Sequence, residues 1–562
     1  MKKELSQIIK GIAPLKINGP VSNYVTGIEY DSRKIKEGNL FFALPGIHTD
    51  GNNFINSAIK NGANAVIYTG EYSDYKEGIC YIQVIDPRLS MAPVSADFYG
   101  NPSLKLKVIG VTGTEGKSTT VYLIYQLLNL LGKKCGFFST VMSDNGTGEV
   151  PNPEHQTTPE SPAVQRILYE MVENGCEYAV VESSSHGLSH KTGRLHGVHF
   201  DQGILMNVTQ EHLEFHGTRE NYARDKANLF EVLGENLILK DGKPFHKKTI
   251  SGKEEFVPVS AVLKGDEEFA PVFRAALKKE IPLEIFYTGG SSPVIPPADY
   301  KEAYSIQNIK TTLQGVEWDI VKILSGVEDG KYRISINIPG AFNALNTTAA
   351  IAGIRQFFPD LEENLFFQSL SGKTEKLLPV KGRMTVINLG QPFRVLVDYA
   401  HTPSSFETIF KPLRAEMESC PKKGRIIALF GSAGERDTVK RPRQGRIAGQ
   451  YCDILILTDE DPRGEDSLSI LKMISAGCPE KTENENLFLI PSRPEAIRKA
   501  FAIAKENDLV LLLGKGHENS IIYKDKVMEY DEISEAEKAL KEMGFNQHRG
   551  IQSQQEQGIR ES

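Results

Sequence analysis

The sequence predicts an α/β protein of three domains with parallel sheets. Six apolar runs each end in a polar or glycine-rich motif, at residues 107–113, 178–186, 393–401, 425–437, 453–463 and 509–518. Runs that are continuously apolar, rather than alternating, are typical of parallel strands covered by helices on both faces. Ligands of such sheets bind outside the carboxyl ends of the strands. We therefore expect the six motifs to lie at binding edges.

Composition and charge limit the class of protein. The 562 residues are enough for three or four domains, and 40% hydrophobic with 24% charged residues is ordinary for a soluble globular protein. The net charge of −7 gives no reason to expect a nucleic-acid partner. The 6 cysteines include no C-x-x-C pair, so neither a disulfide framework nor a zinc site is indicated. Since neither a signal peptide nor a membrane span is predicted, we expect a cytoplasmic protein.

The motifs divide the chain into regions. They form two clusters, near 107–230 and 380–535, which predict two separate α/β domains. We predict a small mixed domain at 1–105, a central domain at 106–378 and a third domain at 379–545. Residues 240–300, rich in Lys, Pro, Gly and Glu, are expected to form an irregular excursion of the central domain. The polar, glutamine-rich stretch 546–562 is expected to be a disordered tail.

The run VIGVTGTEGKSTT at 108–120 predicts a phosphate-binding loop. A strand, a glycine turn and a helix follow one another, so backbone N–H groups and the helix start would face an anion. Lys117 would reach the terminal phosphates, and Ser118 or Thr119 would bind Mg²⁺. The commonest form of the motif has a glycine five places before Gly116, where this chain has Val111. The loop is therefore of a less usual kind.

Four further side chains lie in the motifs that follow this loop. Glu182 closes the apolar run of VVESSSHGL, where a carboxylate would be placed to hold Mg²⁺ near the loop. His212 and His216 are four residues apart, but without the H-E-x-x-H pattern of zinc proteases. Lys226 lies in a helix-like stretch, and spacing alone assigns it no role beyond that of a solvated lysine.

Ten motifs together resemble the Mur ligase family, in order along residues 28–540. They include GTEGKSTT, HQTTPES, ESSSHGL with Arg194, NVTQEHLEFHG followed by YARDKANLF, GAFNALN, KGRM, DYAHTP, GSAGERD with KRP, and GKGHE. The phosphate loop of that family has the form G-T-x-G-K-[ST], which accounts for the shifted glycines. YDSRKIKEGNLFFALPG near the N-terminus, the DPR run at 461–463 and GKGHE resemble the MurE type within the family.

The resemblance implies an architecture and a reaction. The expected fold is a small N-terminal α/β domain that binds the UDP substrate, a central P-loop ATPase-type α/β domain and a C-terminal Rossmann-like α/β domain that binds an amino acid. The expected reaction uses ATP and Mg²⁺ to join a free diamino acid to UDP-N-acetylmuramoyl-L-alanyl-D-glutamate through an acyl phosphate. This is a step of peptidoglycan precursor synthesis in the cytoplasm, and we expect a monomer.

The resemblance also implies roles for individual residues. Lys117, Glu182, His212 and Lys226 would be catalytic, with Lys226 carbamylated to N6-carboxylysine; Ser118, Glu182, His212 and the Lys226 carbamate would hold Mg²⁺. ATP would be bound by Gly113, Thr114, Glu115, Gly116, Lys117, Ser118, Thr119, Asn343, Asn346, Arg383, Asp398 and His401. The UDP-muramoyl peptide would be bound by Ser32, Thr157, Thr158, Ser184 and Arg194. The incoming amino acid would be bound by Arg436, Asp461, Arg463, Gly514 and Glu518.

Three departures from the family pattern matter for function. Glu115 stands where the family usually has Asn, and Arg194 follows ESSSHGL two residues later than in the commoner pattern. Members that add meso-diaminopimelate typically have DNPR where this chain has EDPR. The carboxylate of Asp461 would favour a distal ammonium and disfavour a second carboxylate. We therefore favour L-lysine or L-ornithine over meso-diaminopimelate.

Other functions stay open at this point. Another ligase of similar mechanism, such as a folylpolyglutamate synthase, would not explain the YDSR, EDPR and GKGHE motifs. A P-loop NTPase with a mechanical or regulatory role would have no use for the second motif cluster. A non-catalytic binding protein would not need Lys117, Glu182, His212 and Lys226 together.

Overall fold

The structure is a computed structural model that describes residues 1–46, 49–154, 156–209, 213–289, 302–312, 314–419 and 422–546. The chain divides into two compact units, which are described separately. Unit 1 contains Met1–Asn308, Trp318–Ile334 and Leu345–Thr374, and unit 2 contains the segments Ile309–Glu317 and Ser335–Ala344 and the chain from Glu375.

The N-terminal part of unit 1 is a small α/β layer. Its strands are β1 (Lys3–Glu4), β2 (Lys16–Asn18), β3 (Tyr24–Val25), β4 (Gly27–Glu29), β5 (Asn39–Phe42), β6 (Ala65–Tyr68) and β7 (Cys80–Gln83). Its helices are α1 (Leu5–Ile8), α2 (Ile55–Lys60) and α3 (Pro87–Tyr99). Five strands form one sheet in the order β2-β7-β6-β5-β4, parallel except for β2. Asp86 caps α3 by accepting from two backbone N–H groups, and Gly100 ends it at φ +75°.

The central region is built around an eleven-stranded sheet and belongs mostly to unit 1, while its residues 309–317 and 335–344 are assigned to unit 2. The strands of this region are β8 (Lys107–Thr112), β9 (Cys135–Phe138), β10 (Met142–Asp144), β11 (Val150–Pro151), β12 (Tyr178–Glu182), β13 (Gln202–Leu205), β14 (Ile238–Lys240), β15 (Lys243–Ile250), β16 (Lys253–Pro258), β17 (Ser260–Lys264), β18 (Leu283–Thr288), β19 (Glu302–Thr312), β20 (Gly315–Leu324) and β21 (Val327–Ile336). The helices are α4 (Lys117–Leu130), α5 (Ser161–Glu173), α6 (Ser185–Leu188), α7 (Leu213–His216), α8 (Arg219–Val232), α9 (Ala270–Ala276), α10 (Phe342–Arg355) and α11 (Glu363–Leu370).

The order of strands in this sheet places the site. It runs β11-β10-β9-β12-β8-β13-β17-β18-β19-β20-β21, and the strands from β9 to β19 in this order are parallel. β8 lies between β12 and β13, so the phosphate loop after β8 and the motifs after β12 and β13 leave the same edge. Every residue of β12 is buried, as its continuous apolar run predicts, and every residue of β13, which was not among the predicted runs, is buried as well.

Residues 240–288 are regular, contrary to the irregular excursion predicted near 240–300. β14, β15 and β16 form a small antiparallel sheet, and β17 and β18 belong to the central sheet. The burial of β15 alternates along KPFHKKTI, so one face of a lysine-rich strand is in the interior. Its inward residues include His246 and Lys248, which composition alone assigns to the surface. Residues 290–300 of the predicted excursion lie outside the described residues.

Unit 2 carries the second parallel sheet. Its strands are β22 (Thr385–Ile387), β23 (Arg394–Asp398), β24 (Ile426–Phe430), β25 (Ile454–Leu457), β26 (Leu487–Leu489), β27 (Leu509–Leu513), β28 (Ser520–Ile522) and β29 (Val527–Glu529). Its helices are α12 (Pro403–Ser419), α13 (Lys440–Tyr451), α14 (Ser467–Ser475), α15 (Arg493–Ile503) and α16 (Glu532–Glu542). The sheet order is β22-β23-β27-β24-β25-β26, with only the edge strand β22 antiparallel.

The fold class agrees with the prediction of parallel α/β sheets. All six apolar runs form strands, and their motifs follow the carboxyl ends of β8, β12, β23, β24, β25 and β27. No helix of the described residues is long and apolar enough to cross a membrane. The predicted tail lies outside the described residues except for its first residue.

Candidate active site

The phosphate loop joins β8 to α4 through two glycines with positive φ. Gly113 has φ +149° and Gly116 has φ +84°, a region that side-chain-bearing residues rarely occupy. Gly116 is the N-cap of α4, and no side-chain hydrogen bond caps the helix there. The first N–H groups of α4, from Lys117 to Thr119, therefore face the loop as donors for an anion.

Asn207, which follows β13, braces this loop from the neighbouring strand. Its Oδ1 accepts from the backbone N–H of Thr114 (3.2 Å) and of Glu115 (2.8 Å), and its Nδ2 donates to the carbonyl of Glu115 (3.1 Å). Two of the N–H groups expected to cradle phosphate are thus held by Asn207. The sequence singled out no role for Asn207, because its partners are 92 or 93 residues away along the chain.

Lys117 and Asn346 lie against the same loop. The Lys117 Nζ donates to the carbonyl of Thr114 at 2.8 Å, so its ammonium folds back over the turn. A Cβ placed on Gly116 would lie 2.7 Å from Asn346 Oδ1, so this amide packs against the backbone of the turn. A side chain at position 116 would therefore require the Asn346 amide to shift.

Glu182 and Ser118 meet beside the loop, as the sequence predicts for a metal site. The Ser118 hydroxyl lies 3.0 and 2.9 Å from the two carboxylate oxygens of Glu182. The Thr140 backbone N–H donates to the same carboxylate at 2.8 Å, and the Thr140 hydroxyl lies 3.1 Å from it. Glu182 is only 1% exposed, so polar groups take the place of water around its charge.

This donor set fits Mg²⁺. Carboxylate and hydroxyl oxygens beside a phosphate loop are the ligands that Mg²⁺ takes when it also binds nucleotide phosphates. The described residues contain no group of three or more His, Cys, Asp or Glu side chains arranged for a metal. Ser118 and Glu182 would supply two oxygen ligands of the ion.

Lys226 is buried on α8 next to the start of the loop. Its Nζ donates to the carbonyl of Gly113 at 2.7 Å and lies 4.3 Å from the centre of the Tyr222 ring. Of the two histidines in this region, His212 lies outside the described residues. His216 is buried, and its two ring nitrogens contact Asp225 (2.7 Å) and Ser185 (3.1 Å). Both ring nitrogens of His216 are therefore engaged by neighbouring side chains.

The residues predicted to hold the muramoyl peptide form one hydrogen-bonded cluster. Thr140 Oγ1 lies 3.0 Å from Thr157 Oγ1, which connects the cluster to Glu182. The Thr158 hydroxyl donates to the Glu182 carbonyl (2.9 Å) and contacts the Ser184 hydroxyl (2.9 Å). Arg194 Nη1 donates to the Thr158 carbonyl at 3.0 Å. The two extra residues before Arg194 therefore do not remove it from the cluster.

Glu160 is a further member of this cluster that the sequence did not single out. Its Oε1 accepts from Arg194 Nη2 and from Arg88 Nη1, both at 3.0 Å. Arg88 lies on α3, so Glu160 ties the N-terminal layer to the central sheet. Ser32, predicted to contact the uracil end, is buried in the same layer, where its carbonyl accepts from Asn61 Nδ2 at 2.9 Å.

Unit 2 holds the other residues predicted to bind ATP. Asp398 is buried at the end of β23, and its oxygens accept from the backbone N–H groups of Met384 and Ala400, both at 2.8 Å. Burial raises the pKa of the Asp398 carboxyl. The Arg383 guanidinium lies 4.5 Å from the centre of the Tyr399 ring, and His401 Nδ1 contacts the Tyr399 carbonyl at 2.9 Å. The Asn343 amide donates to the Pro339 carbonyl at 2.7 Å.

The predicted amino-acid residues follow β25 and β27. Lys515 Nζ donates to Asp461 Oδ1 (2.9 Å) and to Glu518 Oε2 (2.6 Å). Glu460, the residue that precedes Asp461, is buried. Its Oε2 accepts no hydrogen bond within the described part of the chain. Burial raises the pKa of the Glu460 carboxyl. A Cβ on Gly514 would lie 3.3 Å from Glu460 Oε2, so the absence of a side chain leaves room beside this carboxylate.

A buried arginine connects the two loops that carry Arg436 and Arg463. Arg441, 0% exposed, is bidentate to Glu465 at 2.8 and 2.9 Å, and Glu465 Oε1 also accepts from the Glu435 N–H. Hydrogen bonding by Arg441 lowers the pKa of the Glu465 carboxyl to about 2. Arg436 is exposed on the first loop, and Arg463 has φ +53° on the second. Neither Arg441 nor Glu465 was a predicted site residue.

Comparison with known families agrees with this geometry. The model described as the Mur ligase family, catalytic domain, matches residues 24–90. The Mur ligase middle domain matches residues 111–354, and the Mur ligase glutamate ligase domain matches residues 382–516. Phosphate loop, Glu182 and Lys226 all fall in the middle-domain match, and the amino-acid loops fall within or next to the third.

Individual relatives match along nearly the whole chain. A UDP-N-acetylmuramyl-tripeptide synthetase of Treponema denticola is 48% identical over 96% of this chain and 98% of its own length. A 2,6-diaminopimelate ligase of Clostridium acetobutylicum is 32% identical over 96% of this chain and 100% of its own. A solved UDP-N-acetylmuramoyl-L-alanyl-D-glutamate–2,6-diaminopimelate ligase structure has TM-score 0.60 and 26% identity, covering 97% of this chain and 100% of its own. The chain therefore belongs to the Mur ligase family, among its MurE-type members.

Proposed function

We propose that this ATP-dependent ligase joins a diamino acid to the D-glutamate carboxylate of UDP-N-acetylmuramoyl-L-alanyl-D-glutamate. The relatives are named for this kind of product or reaction: a tripeptide synthetase in Treponema denticola and a diaminopimelate ligase in Clostridium acetobutylicum. The product would be a UDP-linked tripeptide, a precursor of peptidoglycan.

One observation carries the proposal. A continuous set of hydrogen bonds leads from Ser118 at the phosphate loop through Glu182 and Thr140 to Thr157. From Glu182 it leads through its carbonyl to Thr158, and on to Ser184 and Arg194. Groups suited to phosphate and groups suited to a peptide carboxylate therefore share one edge of the sheet. A phosphoryl group would be transferred between these two places.

The proposed chemistry has two steps. An oxygen of the D-glutamate carboxylate attacks the γ-phosphorus of ATP, and the bond to the ADP oxygen breaks. The amine of the incoming amino acid then attacks the carboxyl carbon, the bond to phosphate oxygen breaks, and the amine loses a proton. Both steps concentrate negative charge, which Lys117 and the start of α4 would stabilise. Mg²⁺ bound by Ser118 and Glu182 would neutralise phosphate charge.

Lys226 and His212 are proposed to complete the metal site. Addition of CO₂ to the neutral Lys226 amine releases a proton and leaves a carbamate, so a cation becomes a carboxylate-like ligand. The burial of Lys226 beside the Gly113 carbonyl supports this, because it keeps the amine next to the phosphate loop and away from bulk water. Asn343 and Asn346 are proposed to approach the adenine of ATP, and Arg383 and Asp398 its ribose and phosphates; His401 belongs to the same motif as Asp398.

For the amino acid we propose L-lysine or L-ornithine. Glu460, Asp461 and Glu518 bring three carboxylates to the ends of β25 and β27, a surrounding that suits a distal ammonium. The arginine of the DNPR motif is kept in this chain as Arg463, and it could pair with a carboxylate of either kind of amino acid. The alternative is meso-diaminopimelate; two Clostridium relatives at 32% identity are named 2,6-diaminopimelate ligases.

Two measurements test this function. With heavy-oxygen label in the D-glutamate carboxylate, the acyl-phosphate route delivers one labelled oxygen to each released phosphate; unlabelled phosphate alongside new tripeptide would overturn that route. In separate reactions with lysine, ornithine and meso-diaminopimelate, kcat/KM should be highest for lysine or ornithine. A higher kcat/KM for meso-diaminopimelate would refute the amino-acid assignment and leave the ligase assignment standing.

A further inference from the structure

Lys515 is a buried cation between two residues predicted to bind the amino acid. It follows β27 in GKGHE and is 0% exposed. Its Nζ donates to Asp461 Oδ1 at 2.9 Å and to Glu518 Oε2 at 2.6 Å. A buried ammonium is costly unless it is paired. Lys515 is paired twice, with carboxylates from two different loops.

The positions of both carboxylates depend on this lysine. Asp461 Oδ1 also accepts from the backbone N–H of Ile522 at 3.0 Å, and Glu518 Oε1 accepts from the Tyr399 hydroxyl at 3.1 Å. Each carboxylate thus has one neutral donor and one charged donor, and the charged donor is shared. Removing the shared ammonium would leave Asp461 and Glu518 as like charges close to each other.

The charge balance around Lys515 is acidic. Glu460 is a third carboxylate at this end of the sheet, and its Oε2 has no hydrogen-bond donor among the described residues. Burial raises the pKa of the Glu460 carboxyl, and besides Lys515 the charges of Lys440 and Arg493 act to lower it. Both of these cations have other partners: Arg493 is bidentate to Glu532, and Lys440 donates to the His401 carbonyl at 3.3 Å. Lys515 itself is paired with Asp461 and offsets its charge.

We infer that Lys515 is a positioning and specificity-determining residue for the incoming amino acid. Its ammonium holds Asp461 and Glu518 in place and cancels one negative charge of the pocket. The distal end of lysine or ornithine carries one ammonium group. The distal end of meso-diaminopimelate carries both an ammonium and a carboxylate, so its net charge is zero. The discrimination between them is set by Asp461 and Lys515 jointly. The inference rests on the proposed function in that it takes this pocket to bind the amino acid.

The test measures kcat and KM for lysine, ornithine and meso-diaminopimelate with four proteins: wild type, Lys515→Met, Asp461→Asn and the double variant. Methionine keeps most of the side-chain volume and removes the charge. In Lys515→Met the ratio of kcat/KM for lysine or ornithine to that for meso-diaminopimelate should rise at least about tenfold, the size of one added unpaired charge at short range. In Asp461→Asn the ratio should fall, and in the double variant it should return close to the wild-type ratio.

Two controls separate specificity from structure. Lys515→Arg keeps the charge and should keep the wild-type ratio even where KM changes. Lys524→Met removes an exposed lysine of the same unit and should change nothing. If Lys515→Met lowers kcat/KM for all three amino acids by the same factor, Lys515 is only structural and the inference is wrong. If Lys515→Met does not fold, Asp461→Asn still tests the inference. An unchanged ratio of kcat/KM values in that variant would overturn the joint role of Asp461 and Lys515.

The outcomes distinguish this inference from the proposed function. A wild type that prefers meso-diaminopimelate refutes the assignment to lysine or ornithine, while the shift of the ratio in Lys515→Met still tests Lys515. A wild type that ligates none of the three amino acids overturns both.

Discussion

At the scale of single residues, Glu182 connects the nucleotide side of the site to the peptide side. Its carboxylate contacts Ser118 and Thr140, and its backbone carbonyl accepts from Thr158. A buried carboxylate with these partners is preorganised for a cation, because its position does not depend on mobile water. Neutralising it should remove the metal site while leaving the hydrogen-bonded frame in place.

Glu182→Gln should therefore lower kcat by about 100-fold or more, the scale of losing a preorganised electrostatic group. Steady-state phosphate release at increasing Mg²⁺ concentrations measures this, and excess Mg²⁺ should not restore the rate. Glu173→Gln, an exposed glutamate at the end of α5, serves as the matched control. Activity of Glu182→Gln within a few-fold of wild type would contradict the role of Glu182.

Lys226 gives a second prediction at this scale. In labelled bicarbonate the wild type should show a carbamate carbon signal by NMR, and Lys226→Met should not. The variant should also lose most of its activity, since a methionine cannot become a carboxylate-like ligand. Absence of the signal in active wild-type protein would show that Lys226 works as an amine.

Motif order predicts some residue contacts and misses others. The meeting of Ser118 with Glu182 follows from the neighbouring positions of β8 and β12, because motifs at carboxyl ends of adjacent parallel strands share an edge. Asn207 and Glu160 carry no such signal. Asn207 acts on backbone groups of a distant loop, and Glu160 acts through two arginines that tertiary packing brings together.

At the scale of secondary-structure elements, the phosphate loop depends on the strand beside it. Asn207→Ala removes the acceptor for the Thr114 and Glu115 N–H groups and frees the loop to fluctuate. Two lost hydrogen bonds, at about 1 kcal/mol each, correspond to roughly 30-fold weaker binding of ADP. Calorimetric titration with ADP measures this. Asn129→Ala, exposed near the other end of α4, should bind ADP like wild type.

The loops after β24 and β25 give a prediction about pH. The folded pKa of Glu465 is lowered from 4.5 to about 2, mainly by Arg441. Its contribution to stability is therefore fully present above about 4.5 and is lost as the pH falls towards 2. The urea midpoint of Glu465→Gln, followed by circular dichroism, should be below that of wild type at neutral pH.

The difference between the urea midpoints of wild type and Glu465→Gln should become smaller as the pH falls below about 4.5. Arg441→Met breaks the same pair from the other side and should show the same narrowing. A difference that stays constant down to pH of about 3 would mean that Glu465 titrates in the same way in both states.

Strands were the most predictable elements. Six continuous apolar runs became β8, β12, β23, β24, β25 and β27, because strands buried on both faces need apolar residues at every position. β15 and β16 were missed since each exposes one face, and charged residues there hide the alternation. Lys248 makes the alternation of apolar and polar residues along β15 harder to recognise, because this charged residue is on the buried face.

At the scale of the whole molecule, the β15–β16 hairpin anchors the start of the central sheet. Lys248 Nζ donates to the carbonyls of Ser103, Leu106 and His199, each at 2.9 Å, and to Asp201 Oδ2 at 2.5 Å. Lys248 and Asp201 have fully buried side chains. One lysine therefore ties the hairpin to the segment before β8 and to the start of β13.

Lys248→Met should lower the free energy of unfolding of unit 1 by about 3–5 kcal/mol, because it leaves the Asp201 charge buried with too few partners. The fluorescence of the single tryptophan, Trp318, measures unit 1, where it is 0% exposed. Lys247→Met removes an adjacent lysine on the exposed face and should cost about 0.5 kcal/mol or less. Equal losses in the two variants would contradict the anchoring role.

The most direct test of the account as a whole is the dependence of phosphate release on both substrates. Purified protein with ATP and Mg²⁺ would be given UDP-N-acetylmuramoyl-L-alanyl-D-glutamate, a diamino acid, both or neither, and the product would be identified by mass. The account predicts sustained phosphate release and a UDP-tripeptide only when both are present. Release that is indifferent to both, with no new product, would contradict the ligase function and leave an ATPase.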